Sequence, residues 1–335
     1  MRVARLVWDR GEAEMQALGA MLAPASLALP DGRRVHPLHV APWEGEVLSD
    51  QPGILRRLRG EWPCVPFGMA PAEPLPAAWA GVVRGAGDAD AGARDPHGYG
   101  SNHEWQLEQD GPAAIRARID YPDDSAIARL ERRVEGVAGE AALRFGLTIH
   151  PRRDCRLPIG LHPVFALPAE PGAAHLTVDH TGVAVHPLDE GPGLSRLAPG
   201  LHFDRLARLS DRQGHAFDGA ALPYAIASEN LLLLTGVTGE AVLENRAGGY
   251  RTRLSWDAAL FPALMLWISN RGRQSAPWSG RHLALGMEPV RAAFDLGPGL
   301  SAGDNPLTRA GVETAFSFRA GEPLSTEYRI AVEPL

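Results

Sequence analysis

Prolines and glycines punctuate this chain from end to end. There are 29 of the first and 37 of the second in 335 residues, and few stretches between them sustain a helical period. Short apolar runs separated by closely spaced turn signals predict an all-β sandwich or barrel with few short helices. Sustained alternation of strands and helices is absent. No glycine-rich loop joins a strand to a helix, so a dinucleotide-binding fold is disfavoured. No shift in composition marks a linker and no fixed-period repeat occurs. One continuous β domain over residues 1–335 is the economical expectation.

Composition then narrows function by exclusion. The chain is 45% hydrophobic, enough for a sizeable core. Its formal net charge is −7, with no block of like charges. That speaks against nucleic acid as a partner and against a polybasic membrane contact. All 33 Lys-plus-Arg positions are arginine, which excludes a Schiff-base lysine and a P-loop lysine. Cys64 and Cys155 lie far apart without CxxC spacing. A disulfide framework or a zinc site is therefore disfavoured, and a reducing cytoplasm is the natural setting. Met15 to Leu29 is apolar enough to imitate a signal core, but Asp9, Glu12 and Glu14 stand where a signal peptide would be basic. No run of about 18 apolar residues suggests a membrane helix. A soluble cytoplasmic protein is expected.

Three stretches carry polar side chains in apolar surroundings. The first is Phe261 to Gly297. Leu264 to Ile268 is a continuous apolar run closed by the turn-prone Asn270-Arg271-Gly272, and it predicts a strand. A second strand, His282 to Met287, is expected to end at Glu288-Pro289, with the proline holding Glu288 extended. A carboxylate beside apolar neighbours is costly to desolvate, which moves it towards the range of a general base. The plainer alternative is a surface glutamate at a loop start. The second stretch, Leu157 to Phe165, sets His162 between apolar residues and before a proline. It is either a buried, hydrogen-bonded structural histidine or a titrating one. The third, Asp95 to Trp105, combines His97, Asn102 and Trp105 with two glycines that let backbone approach a ligand. Elsewhere, Ala113 to Ile119, Ala126 to Val134 and Ala141 to Ile149 read as successive strands, with Arg129, Glu131 and Arg133 on a wet face. Gln51 to Arg59 reads as a short helix, and Ala70 to Ala93 as a surface excursion without a strand.

Taken together and in this order, His97-Gly98-Tyr99 with Asn102 and Trp105, Gly160 to Phe165, and Leu285 to Pro289 resemble the aldose 1-epimerase (galactose mutarotase) family. The Phe261 to Arg271 run looks like its glucose-6-phosphate 1-epimerase branch. The resemblance spans nearly the whole chain, with two departures: where the first motif commonly ends in arginine this chain has Ser101, and a second phosphate-binding arginine has no evident counterpart. The resemblance implies a β-supersandwich of many antiparallel strands with a sugar in an open cleft. It implies acid–base ring opening without metal or organic cofactor, Glu288 as base, His162 as acid and His97 assisting. Arg59, Asn102 and Asp218 are then candidate hydroxyl-binding residues, and Trp278 is either a sugar platform or a tryptophan packed beside Pro277. The implied partner is a small sugar, free or phosphorylated, bound by a monomer or homodimer. The alternative is a carbohydrate-binding protein on the same scaffold without turnover. A glycosidase needs two carboxylates across the scissile bond, and only Glu288 is a candidate.

Overall fold

The computed structural model describes residues 2–189, 191 and 193–335. Among them, two large antiparallel sheets face each other. The first has eight strands, in the order His202–Phe203, Gly182–Val185, Ser228–Thr235, Ala263–Asn270, Leu283–Arg291, Ile159–Leu161 and Pro63–Cys64, with Val164–Ala166 also paired to Leu283–Arg291. The second has nine, running Ala221–Leu222, Ala174–Val178, Glu240–Asn245, Tyr250–Trp256, Leu324–Pro334, Ala142–Pro151, Ile127–Gly136, Ala114–Asp120 and Gln106–Gln109. A smaller sheet of four strands, Val3–Trp8, Gly11–Gln16, Leu22–Ala28 and Arg34–Val35, completes the N-terminal part. Helices are short; none of those described is long and apolar enough to cross a membrane.

The apolar run at Leu264 to Ile268 is continuous because its strand is buried on both faces. Leu264, Leu266 and Ile268 enter the main core, together with Leu143, Phe145 and Ile330 of the nine-stranded sheet. Met265 and Trp267 point the other way, into a second apolar cluster with Trp62, Phe67 and Phe294. The next strand repeats the pattern: Leu285 and Met287 belong to the main core, while Ala284 and Val290 belong to the second cluster. Glu288 falls on the same side as Ala284 and Val290, by the two-residue period of a strand.

Two expectations change, and a third, the strand-free excursion Ala70 to Ala93, gains detail. Glu288 is not at a strand end, because the strand runs on through Pro289 to Arg291. The Met287 N–H donates to the Pro163 carbonyl, so the donor missing at Pro289, two residues on, belongs on that same side. There the ladder is already interrupted between Leu161 and Val164, and the proline costs no hydrogen bond. The helix near residue 55 is only Gly53–Arg56, since Leu58 and Arg59 turn back to pair with Ala41 and Val40. Ala70 to Ala93 carries the short helix Ala77–Ala80 and buries Trp79 beside Phe294.

Arg129, Glu131 and Arg133 do lie on the outer face of Ile127–Gly136, but Arg132 between them is buried. It donates to Glu61, which also accepts the Tyr328 hydroxyl, and to the Ala20 carbonyl. This closed network ties the nine-stranded sheet to the segment that leads into Trp62. Removing one partner leaves the other buried and unpaired. Arg132→Met is expected to lower unfolding stability by about 3–5 kcal/mol, read as a shift in the urea midpoint.

Candidate functional site

The site is a row of neighbours across the eight-stranded sheet. Leu233 pairs with Met265, and Met265 with Glu288. Beyond Glu288, Gly160 pairs with Val290 and Val164 with Gly286. Three residues separate the paired positions on each strand, so the register sets His162 opposite Glu288. On its far side His162 donates its N–H to the Trp62 carbonyl and stacks its ring on the Trp62 indole, centroids 4.1 Å apart. Residues far apart in the chain thus become cross-strand neighbours, whose side chains stand on one face.

His162 Nε2 lies 3.5 Å from Glu288 Oε1, and both side chains are almost wholly buried. Neither Glu288 oxygen nor His162 Nδ1 accepts or donates a hydrogen bond within the described chain. Gly286, two residues before Glu288, makes room for the carboxylate: a Cβ there would stand 2.3 Å from Glu288 Oε1.

Loops bring the remaining polar groups. His97 sits at φ 58°, a left-handed conformation unusual outside glycine, and its N–H donates to the Gly68 carbonyl. Its ring meets that of His162 edge-on at 5.1 Å. Gly68 in turn packs on the backbone of Asp295, where a Cβ would come within 2.3 Å of the Asp295 carbonyl oxygen. His186 Nε2 holds the Asp295 carboxylate at 2.9 Å. His97, His162, Glu288 and Asp295, with Arg273, border a cavity of about 250 Å³. Trp62, Trp267 and Trp278 provide its aromatic walls, and Ile54, Leu55 and Leu58 an aliphatic one.

Burial sets the electrostatics. It raises the Glu288 carboxyl well above the usual carboxylate value, and Asp295 adds to the rise. Burial likewise drives His162 well below the usual imidazole value, reinforced by His97. His97 is lowered by burial too, with Asp295 opposing. Asp295 itself is pushed up by burial, but His186 and His97 outweigh this and bring it down to about 2. A neutral carboxyl beside a neutral imidazole is therefore the favoured state of the pair, with an ionised Asp295 nearby.

Of the residues singled out in the sequence, Glu288, His162, His97 and Trp278 line this cavity. Asn102 does not. Its side chain accepts from the Ile54 N–H and donates to the Pro96 and Gly98 carbonyls, so it clamps the aliphatic wall to the loop that carries His97. Arg59 turns away to Glu44 and the Ala23 carbonyl. Asp218 caps its own turn through the Ala220 N–H and faces His175. Ser101, at the position of the family arginine, is fully buried and donates to the His97 carbonyl. Asp295 and Arg273 lay within the stretch Phe261 to Gly297 and carried no sequence signal, since both depend on loops folding back over the sheet. Among the described residues no group of three or more His, Cys, Asp and Glu side chains could hold a metal.

The raised Glu288 value has a consequence for stability. The folded state holds this proton more tightly than the unfolded chain, so stability present at low pH is lost as pH rises above the usual carboxylate value. Glu288→Gln removes that loss. Its thermal midpoint is expected to match the parent at about pH 4 and to exceed it by a growing margin towards about pH 8.

No family model matches the chain, and no curated protein matches it in sequence. Solved structures do match. An Escherichia coli protein provisionally named an aldose 1-epimerase superposes with TM-score 0.67 at 15% identity, covering 100% of this chain and 99% of that one. A galactose mutarotase-like protein from Lactobacillus casei gives 0.60 at 13%, covering 99% and 100%. A GalM/aldose epimerase homologue from Caenorhabditis elegans gives 0.60 at 12%, covering 100% and 99%. The two packed antiparallel sheets, followed over full length, are the galactose mutarotase-like fold.

Proposed function

We propose that this chain is a mutarotase, exchanging the α and β anomers of an aldose by acid–base ring opening. The observation that supports this most is the buried His162–Glu288 pair, which faces a cavity of single-sugar size and has no other hydrogen-bonding work to do.

The reaction needs one group that gives a proton and one that takes it. The base removes the proton of the anomeric hydroxyl, and a C1=O bond forms. The C1–O5 bond breaks, and the acid protonates O5. The aldehyde turns about C1–C2, and closure reverses both transfers with the roles exchanged. Both reacting oxygens sit on one carbon, so acid and base must lie close together, as the 3.5 Å separation of His162 and Glu288 allows. The pair carries one labile proton whichever group holds it. With the proton on Glu288 the carboxyl serves O5 and His162 takes the hydroxyl proton; the opposite placing is the assignment that the family resemblance implies. The two titrate as a unit, so roles follow the pose of the sugar. Neutral His97 can bind a neighbouring hydroxyl or the ring oxygen, and the faces of Trp267 or Trp278 suit the apolar face of a pyranose.

Dissolving a pure anomer with the protein should speed its approach to equilibrium, followed by polarimetry or NMR. Glu288→Gln and His162→Asn should each lower the rate by about 10²–10⁴-fold. Gly286→Ala should lower the rate, because its Cβ would stand 2.3 Å from Glu288 Oε1 and displace the carboxylate, and should also lower the thermal midpoint, because it would crowd Trp267 Cβ at 3.1 Å. The pH profile of kcat/KM should be a broad bell. Its acid limb should lie below the usual imidazole value, where His162 gains a second proton, and its alkaline limb above the usual carboxylate value, where the pair loses its labile one. Saturable sugar binding without faster exchange would instead identify a carbohydrate-binding protein.

A further inference from the structure

Resting on the mutarotase reading of the same cavity, we infer that the sugar ring stacks on the Trp267 indole and that Glu229, a buried carboxyl outside the catalytic pair, is the residue that positions it.

Strand register brings the two together. Ser228–Thr235 pairs with Ala263–Asn270, setting Glu229 opposite Ser269 and Leu231 opposite Trp267. Glu229 and Trp267 are thus diagonal neighbours on one face of the sheet, a spacing that an aromatic side chain can bridge. Glu229 is 1% exposed. Its Oε2 accepts the Trp267 indole N–H at 3.3 Å, and its Oε1 accepts the Ser269 hydroxyl at 2.9 Å. With its own proton given to Glu229, the Ser269 oxygen accepts from His282 Nδ1, 2.8 Å away. The His282 ring lies nearly parallel to the Trp267 indole, with centroids 5.2 Å apart and planes at 20°. The indole is therefore held at its N–H by Glu229, and along one face by an imidazole that the same carboxyl anchors through Ser269. Gly272 makes room for this arrangement, since a Cβ there would stand 2.9 Å from Glu229 Cγ. A leucine at this position would continue the apolar face of Leu231 and Leu233 without the cost of burying a carboxyl.

Trp267 is also the indole best placed for a ring. It pairs with Gly286, which has no side chain and lies two residues before Glu288. Its centroid is 6.0 Å from that of His162, with the planes at 78°. A pyranose whose C1 and O5 meet His162 and Glu288 therefore reaches Trp267 within its own width. Trp278 is the more covered of the two: the Arg273 guanidinium carbon stands 4.7 Å from its centroid, against 5.9 Å for Trp267. The C–H face of a pyranose gains on such a ring as apolar surface does. That contact is made in the ground state as well as during ring opening, so its loss acts on KM more than on kcat.

The test follows anomer exchange by NMR for the full chain with D-glucose, D-galactose and their 6-phosphates, taking the sugar that is exchanged fastest. Glu229→Leu, which removes both acceptors, is expected to raise KM by about tenfold and to leave kcat within about twofold. Glu229→Gln keeps an acceptor for the indole N–H and should restore most of the affinity. The Trp267 indole N–H resonance, identified by its loss in Trp267→Phe, should move when that sugar saturates the parent protein. It should move upfield in Glu229→Leu, and less so in Glu229→Gln, which supplies this readout where the leucine variant does not fold. An unchanged KM in Glu229→Leu, a kcat that falls in step with the thermal midpoint at constant KM, or a resonance that ignores the sugar would overturn the inference and leave the mutarotase reading standing. No exchange with any of the four sugars would remove that reading, and the resonance under the same sugars would still decide whether Trp267 is the platform.

Discussion

Burial of the strand Leu283–Arg291 on both faces is the constraint from which the site follows. One face closes the core between the two large sheets through Leu285 and Met287, and the other is covered by loops and by a second apolar cluster. Glu288 lies on that second face, 1% exposed, as a consequence of strand period alone. The fold therefore does the desolvation, and no lid is needed to raise the carboxyl above its ordinary range. The same sheet delivers the imidazole, because His162 lies in the short break between Ile159–Leu161 and Val164–Ala166, both paired to the strand that carries Glu288. Glu288 on a central strand, and His162 held between two short strands paired to it, are placed with a precision that longer loops rarely match.

Such a site runs against the ordinary rules of a core. Buried polar atoms are nearly always hydrogen-bonded, yet both Glu288 oxygens, His162 Nδ1 and His97 Nδ1 are without partners among the described residues. Contrast Glu61, just as buried, whose two oxygens are taken by Arg132 and Tyr328. One carboxylate is neutralised and locked, while the other is left with open valences towards a cavity. Backbone strain concentrates in the same region: His97 and Phe294, the residue before Asp295, both have positive φ. Both features are of the kind that functional sites retain at a cost in stability.

Much of this was legible in the sequence. Proline and glycine spacing pointed to the all-β class, and the uninterrupted apolar run at Leu264 to Ile268 marked a strand, whose burial on both faces the structure adds. Glu288 and His162 stood out as polar residues in apolar company next to prolines. The prolines were read correctly as holding the chain extended and wrongly as an end to the strand at Glu288. Where a proline's missing donor points depends on the neighbouring strand, and local sequence does not contain that. Arg132 sits in a run of alternating charges and looks like its wet-face neighbours, since only its partners Glu61 and Tyr328, 71 and 196 positions away, make it a core residue.

The least legible part was the division of labour around the cavity. Asn102, Arg59 and Ser101 are polar residues close in sequence to the site, and each spends its hydrogen bonds on backbone or on a partner outside the cavity. Their effect is to hold other things still: Asn102 fixes the wall and the His97 loop together, and Ser101 fixes the His97 carbonyl. A residue type suited to binding hydroxyls is equally suited to binding carbonyls, and only tertiary structure decides which it meets. The polar groups that do face the cavity, His97, His162, Glu288, Asp295 and Arg273, come from three separate stretches of the chain.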